Sequence, residues 1–257
     1  MEGENDLDIL ARLSVPIVWH TLEEYNVRIE DLEDSRFEEA MKFIKVHFVP
    51  HDILSRCGGL ADDPDQIQTF LERMLFNMQD YTSLIAVDNV SEKIIGVLIN
   101  RVMRFSEHSK TQSRVRFLEG DSVRKIIKIW SLIIARSNVF QYFDTDCVLR
   151  NYILCVKPRF RRKGIGRQLM LTSFELAASL EMGAVMGIYT TGALQQMGKS
   201  LGMEILAEIF YIDYIIDGEM VFDDPGAGNY TIALMARRVE PTETVDVEAD
   251  EAEIPKT

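Results

Sequence analysis

The segment Val156–Met170 reads VKPRFRRKGIGRQLM. Pro158 stops what precedes it, the cations Lys157, Arg159, Arg161, Arg162, Lys163 and Arg167 crowd one short turn, and Gly164 and Gly166 stand where that turn enters the next run. In that run Ile165, Leu169, Leu176 and Leu180 recur on one face, which predicts a helix starting at about Gly164. Upstream, VLRNYILCV (148–156) is rich in β-branched and aromatic residues and predicts a central strand. The order is therefore strand, basic loop, Gly-x-Gly, helix. A helix N-terminus carries unpaired N–H groups and partial positive charge, glycines let an anion approach the backbone, and arginines add forked donors. These features predict a pyrophosphate site, although the same residues also suit a solvated surface turn. Neither the terminal Gly-Lys-Ser/Thr of a phosphate loop nor the fuller Gly-x-Gly-x-x-Gly of a dinucleotide fold is present.

Working outward, YNVRIEDL (25–32) predicts a first strand, and Phe37, Met41, Ile44 and Phe48 predict a helix from about Asp34 to His47 that Pro50 terminates. A second helix is expected over 64–78, with Pro64 in its first turn. SLIAVD and KIIGVLIN, parted by DNVSEK, predict a hairpin of buried strands. A surface loop is expected over 101–120, then an apolar helix over 122–135. Beyond the helix that begins at Gly164, AVMGIYT predicts a strand, Thr190 or Thr191 a helix cap, and Gln195–Leu201 a short helix ending at Gly202. EILAEIFYIDYI and NYTIALMARRV predict two closing strands, with Tyr211 and Tyr214 on the first of them. The fold class is α+β, a mixed sheet flanked by helices.

At 257 residues and 47% hydrophobic content the chain suits one sizeable core with ornaments. The expected division is an N-terminal extension (1–20, flexible), one domain (21–239), and an acidic, disordered tail (240–257). A balance of 28 Lys+Arg against 41 Asp+Glu, net −13, argues against nucleic acid or an anionic membrane as partner and favours cationic ligands. Cys57, Cys147 and Cys155 form no paired spacing, which fits a reducing, cytoplasmic setting. No secretion signal and no membrane span of roughly 18–20 apolar residues is expected. Oligomeric state is not readable.

Arg161–Gly166 resembles the Arg/Gln-x-x-Gly-x-Gly/Ala signature of the GCN5-related N-acetyltransferase (GNAT) superfamily. KIIGVLINRVM, ILCVKPRFRRKGIGRQLM, MGIYTTGALQQMGKSLGM and YIDYIIDGEMVF further resemble the insect-type arylalkylamine N-acetyltransferases, over about Tyr25 to Val239. The resemblance implies the GNAT acyl-CoA N-acyltransferase fold and direct acetyl transfer from acetyl-CoA to a small primary amine, with no metal. It also implies a central strand splayed from its neighbour, so that the pantetheine arm pairs near Cys155, Val156 and Lys157. By the same resemblance Arg161, Arg162, Lys163, Gly164, Ile165 and Gly166 hold the pyrophosphate, with Arg167 beside them. Cys155 is expected to be a small strand residue, because the superfamily's transfer forms no acyl-enzyme.

The chemistry needs a base, since an amine with a pKa of about 10.4 arrives protonated. Where the family has a glutamate, in a motif like Phe-Phe-Pro/Lys-Asp-Glu-Pro-Leu, this chain has Asp52 within Phe48–Leu54, one methylene shorter and followed by Ile53. His51 is the alternative base, with an intrinsic pKa near 6.5. Thr190 and Thr191 stand at two of the family's serine positions, as candidate acids or as caps, while Leu194 fills a further one. His47 and His51 are four apart, but Pro50 argues against a shared helix face and hence a metal pair. His20 and His108 are expected in loops. Two other functions stay open: transfer of longer acyl chains, and coenzyme binding by a protein whose catalysis is weakened.

Overall fold

A computed structural model describes residues 16–106 and 120–240. His108, most of the expected 101–120 loop, and all but one residue of the 240–257 tail lie outside the described residues.

The central strands read as long apolar runs because they are buried on both faces. The main sheet comprises β1 (Val18–Leu22), β2 (Val27–Asp31), β3 (Leu84–Asp88), β4 (Lys93–Arg104), β5 (Cys147–Val156), β6 (Ala184–Tyr189), β7 (Glu204–Phe210) and β10 (Thr231–Arg238), with a small hairpin of β8 (Ile215–Ile216) and β9 (Glu219–Met220) beside it. Its order is β1-β2-β3-β4-β5-β6-β10-β7. All neighbours are antiparallel except β5 and β6, which are parallel.

The helices are α1 (Phe37–His47), α2 (Ile53–Cys57), α3 (Pro64–Met78), α4 (Asp121–Ala135), α5 (Val139–Phe143), α6 (Ile165–Ser179) and α7 (Gly192–Ser200). Along β4, Val97 and Ile99 enter the core with Phe43 and Ile44 of α1, Phe70 and Met74 of α3, and Trp130 of α4. Leu98, on the opposite face, packs with Ile165 and Leu169 of α6. The two cores explain why KIIGVLIN shows no polar alternation. Asp63 caps α3 by accepting the Gln66 N–H at 3.1 Å, and Pro64 occupies its first turn.

The join between β5 and β6 positions the site. β4 pairs with β5 along its whole length, from Arg104↔Cys147 to Gly96↔Val156. β6 pairs with β5 only over Val148–Asn151. There the β4–β5 register slips: Asn100 faces Asn151 but Ile99 faces Ile153, leaving Tyr152 opposite no residue. Such a bulge bends its strand, and past it β5 and β6 part.

Several expectations are corrected. β1 starts the sheet at Val18, ahead of the boundary at 21, and carries His20, whose Nε2 meets Glu175 Oε2 of α6 at 2.6 Å. None of its residues is buried, which leaves no alternation to read. β4 continues to Arg104, into the expected loop. After Pro50 the chain forms α2, with Asp52 as its cap. EILAEIFYIDYI is not one strand: β7 ends at Phe210, and a 3₁₀ turn follows over Tyr211–Asp213. The Tyr211 ring there is 2% exposed, packs on Phe222 at 5.8 Å, and its hydroxyl donates to Thr190 O at 2.7 Å.

Phe70 lies between Phe48 and Trp130, with ring centroids at 6.3 and 6.4 Å, and is 1% exposed. Phe70→Ala is expected to lower unfolding free energy by about 3–5 kcal/mol in denaturant titrations; a loss below about 1 kcal/mol would show that this junction is not part of the core.

Candidate active site

Where β5 and β6 diverge lies a cleft of about 530 Å³. Its lining includes His51, Asp52, Cys155, Val156, Arg161, Arg162, Gly164, Ile165, Gly166, Arg167, Thr190 and Thr191. The fold thus brings together residues from α1–α2, β5, the basic turn and the β6–α7 junction.

One end is the basic turn. Arg162 and Gly164 both take left-handed backbone, φ 63° and 76°, and so coil the loop back on the helix entry. Gly164 caps α6 without a side-chain acceptor, and the first bond within the helix runs from Gln168 N to Gly164 O. The N–H groups of Ile165, Gly166 and Arg167 therefore precede the helical ladder. A Cβ built at Gly164 would meet no atom within 4 Å, so the backbone is open to a ligand there. Arg161 Nε donates to Val156 O at 2.9 Å, which ties the turn to the strand.

Along β5, Lys157 N donates to Ile95 O at 2.8 Å. Antiparallel alternation then turns the backbone of Cys155 toward β4, and that of Leu154 and Val156 into the gap. This revises two assignments. Lys157, whose carbonyl also accepts Phe160 N, spends its backbone on the protein, and Leu154 takes its place beside Val156. Lys163 is also absent from the lining; its Nζ sits 5.2 Å from the Tyr25 ring centre and 5.4 Å from that of Phe160. Counting back two residues from Val156 would have found Leu154.

The other end holds Asp52. It caps α2, accepting the Ser55 N–H and hydroxyl at 2.9 Å each, and Thr190 Oγ1 approaches its second oxygen at 3.4 Å. Burial raises its pKa above the ordinary carboxylate value, against the opposing pull of the Ser55 and Thr190 bonds. Thr191 acts as the α7 cap, its hydroxyl accepting the Leu194 N–H at 3.2 Å, which leaves its own proton to donate. His51 is exposed at the rim. His47 also lines the cleft, unforeseen from the sequence. Its pKa is lowered by burial first, then by the charges of Lys157, His51 and Arg161, all of which disfavour the protonated ring. α1 ends at His47, so the His47 and His51 rings share no helix face. Burial pushes the Cys155 thiol up to about 12, Arg161 opposing it only in part. A thiol so held is a poor nucleophile.

A narrower cavity of about 40 Å³ shares Phe48, Asp52, Leu154, Thr190 and Leu194 with the cleft and is walled beyond them by Trp130, Tyr152 and Tyr189. Among the described residues no group of three or more His, Cys, Asp or Glu is placed to hold a metal ion, and no helix is long and apolar enough to cross a membrane.

No family model matches the chain, and no curated protein matches it in sequence. Solved structures do match in fold. Arylalkylamine N-acetyltransferase 2 from Aedes aegypti is 25% identical at a TM-score of 0.78, over 84% of this chain and 100% of that one. A mosquito arylalkylamine N-acetyltransferase-like protein 5b (20%, TM-score 0.73) and the Drosophila melanogaster polyamine N-acetyltransferase (17%, TM-score 0.73) each cover 83% of this chain and 100% of their own. At those lower identities the last two speak to the fold.

Because the folded-state pKa of Asp52 is raised, its contribution to stability is present below the unfolded value and is lost as pH rises through the folded one. Asp52→Asn, which keeps a capping oxygen, should match the parent near pH 3 and become relatively more stable as pH rises toward 7. Asp52→Ala should lie about 1 kcal/mol below Asp52→Asn at every pH, for want of the cap. Chemical denaturation at several pH values reads both, and an Asn variant that weakens with rising pH would reverse the assignment of Asp52 as a buried, charge-destabilised group.

Proposed function

We propose that this chain, which has the GNAT fold in its arylalkylamine N-acetyltransferase form, transfers an acetyl group from acetyl-CoA directly to a small primary amine. The observation that carries this reading is the parting of β5 from β6, with a helix N-terminus and arginines at one end of the gap and a half-buried carboxylate at the other. The 25% identical Aedes aegypti enzyme, named an arylalkylamine N-acetyltransferase, supports it.

The residues suit acetyl-CoA as co-substrate. The N–H groups of Ile165, Gly166 and Arg167, with Arg161 and Arg162, would neutralise its pyrophosphate. Leu154 and Val156 would hydrogen-bond the amide-rich arm as a missing strand would. Lys163 would add charge from behind the turn. When bound, the thioester supplies an activated acetyl group.

Asp52 then removes a proton from the ammonium group, directly or through one water, and the nitrogen forms its bond to the acetyl carbon. The Val156 N–H stabilises the oxyanion that develops. The carbon–sulfur bond breaks, the acylated nitrogen loses its remaining extra proton, and the leaving thiolate gains one through the Thr191 hydroxyl, which passes a proton on and is resupplied with the one the nitrogen releases. Thr190 orients Asp52 through the 3.4 Å contact, while the backbone of Thr190 is itself held by the Tyr211 hydroxyl. A raised pKa makes Asp52 a stronger base than an exposed aspartate. His47, whose protonated form is disfavoured, and His51 at the rim line the same cleft and would pass the proton outward. The three cysteines, none of them in a disulfide, fit a cytoplasmic setting.

The test is thiol release from acetyl-CoA with a panel of arylalkylamines and polyamines, alongside calorimetric binding of coenzyme A. Asp52→Asn should lower kcat by about 10²–10⁴-fold, with coenzyme affinity within about twofold. The acidic limb of the kcat profile should lie above the usual aspartate range and vanish in the variant. Gly164→Leu, forced into left-handed backbone at φ 76° and filling the cradle, should weaken coenzyme binding by at least about tenfold. Binding without amine-dependent release, for acetyl and longer acyl donors alike, would overturn the enzymatic reading; unaltered affinity in Gly164→Leu would overturn the pyrophosphate assignment.

A further inference from the structure

Three arginines outside the basic turn converge on the side of the sheet that faces α3 and α4. Arg101 and Arg150 stand directly opposite each other across the β4–β5 ladder, where like charges repel. Arg73 reaches them from α3, close enough for its charge to act on both. Arg150 is 6% exposed, and its guanidinium stacks 4.1 Å from the Tyr152 ring centre and 5.8 Å from that of Trp130.

These cations have almost no anionic compensation. Among the described residues, neither Arg73 nor Arg150 makes a side-chain hydrogen bond or ion pair, and the Nε of each is buried without a partner. Arg101 donates to Asn77 Oδ1 at 3.4 Å and lies over the Phe76 ring at 4.3 Å. The carboxylate nearest it is Asp80, at 3.8 Å, which already accepts the Val102 N–H at 2.9 Å. Burial lowers the pKa of Arg150 and of Arg73, and the neighbouring arginines add to this. A buried cation without a counter-charge is costly, and an anion placed among the guanidinium groups removes the cost.

The cluster lies behind the aromatic wall of the narrow cavity, whose lining includes none of the three arginines. Tyr152 and Trp130 wall the narrow cavity that also contains Asp52 and Thr190, and the Arg150 guanidinium packs against those two rings. Arg73 and Arg101 are only half-buried, so the group opens to solvent. We propose that Arg73, Arg101 and Arg150 form an anion subsite for the carboxylate of the acyl-accepting amine, at the end of that substrate remote from its amino group. The proposal rests on the acetyl-transfer reading and narrows its substrate to amines that carry an acid. Guanidinium forks match a carboxylate in bidentate geometry, and the aromatic walls suit a ring between the acid and the amine.

The experiment compares 4-(2-aminoethyl)benzoate with phenethylamine, which differ by one carboxylate, in calorimetric binding to the full chain with and without coenzyme A, and in thiol release. The acid-bearing amine should bind at least about tenfold tighter, and its advantage should shrink to about threefold or less in Arg150→Met and in Arg73→Gln. Arg150→Met removes an uncompensated buried charge, so its melting temperature should be unchanged or higher; Arg73→Gln, at a half-buried position, carries the same test should Arg150→Met not fold. Equal binding of the two amines, or a preference that survives in both variants, would overturn the subsite. Release with phenethylamine but no carboxylate preference overturns the subsite alone, whereas a carboxylate preference in binding with no release from any donor overturns acetyl transfer alone.

Discussion

The structure turns on backbone groups in β5 that have no strand beside them. Sheet hydrogen bonds between β5 and β6 stop at Asn151, while β5 runs on to Val156 against β4. The Tyr152 bulge makes this possible: it inserts a residue that β4 does not match, bends the strand away from β6, and turns Leu154 and Val156 into the gap. Backbone polar groups seldom stay unpaired in an interior. A gap of this kind persists because solvent or an amide-bearing ligand can complete it, and because α6 and α1 support β5 from its two faces.

Around that gap the electrostatics are strongly local. A chain of net charge −13 gathers arginines and a helix N-terminus at one end and a half-shielded carboxylate at the other. Asp52 is held by its own short helix, which it caps, so its position depends on Ser55 as much as on Thr190. Local folding and chemistry therefore share one side chain. The opposing influences on its pKa, burial upward and hydrogen bonds downward, leave it basic enough to accept a proton yet fixed in place.

Much of this was legible before folding is considered. The helix expected over 64–78, with Pro64 in its first turn, is α3 over Pro64–Met78, since a proline at the first helical position marks a start locally. The strand–turn–helix of 148–179 was equally plain, since Pro158, the cations and two glycines punctuate it. Less was legible where exposure removes periodicity. β1, none of whose residues is buried, carried no pattern, and the apolar run after Glu204 read as one strand because nothing local shows that Tyr211 turns inward to bind Thr190. His47 was read for its spacing to His51, but its place in the cleft depends on how α1 lies across β5.

The sequence by itself determined the elements, their order and the basic turn, because periodicity, proline and glycine act within a few residues of chain. Tertiary structure alone decided that β5 departs from β6 at a bulge and that Lys157 spends its backbone on β4 while Leu154 faces the gap. It alone brought Asp52 to Thr190 across 138 positions and set Arg101 against Arg150. Register and approach are properties of pairs of segments, set by which faces can be buried together, and no single segment encodes them.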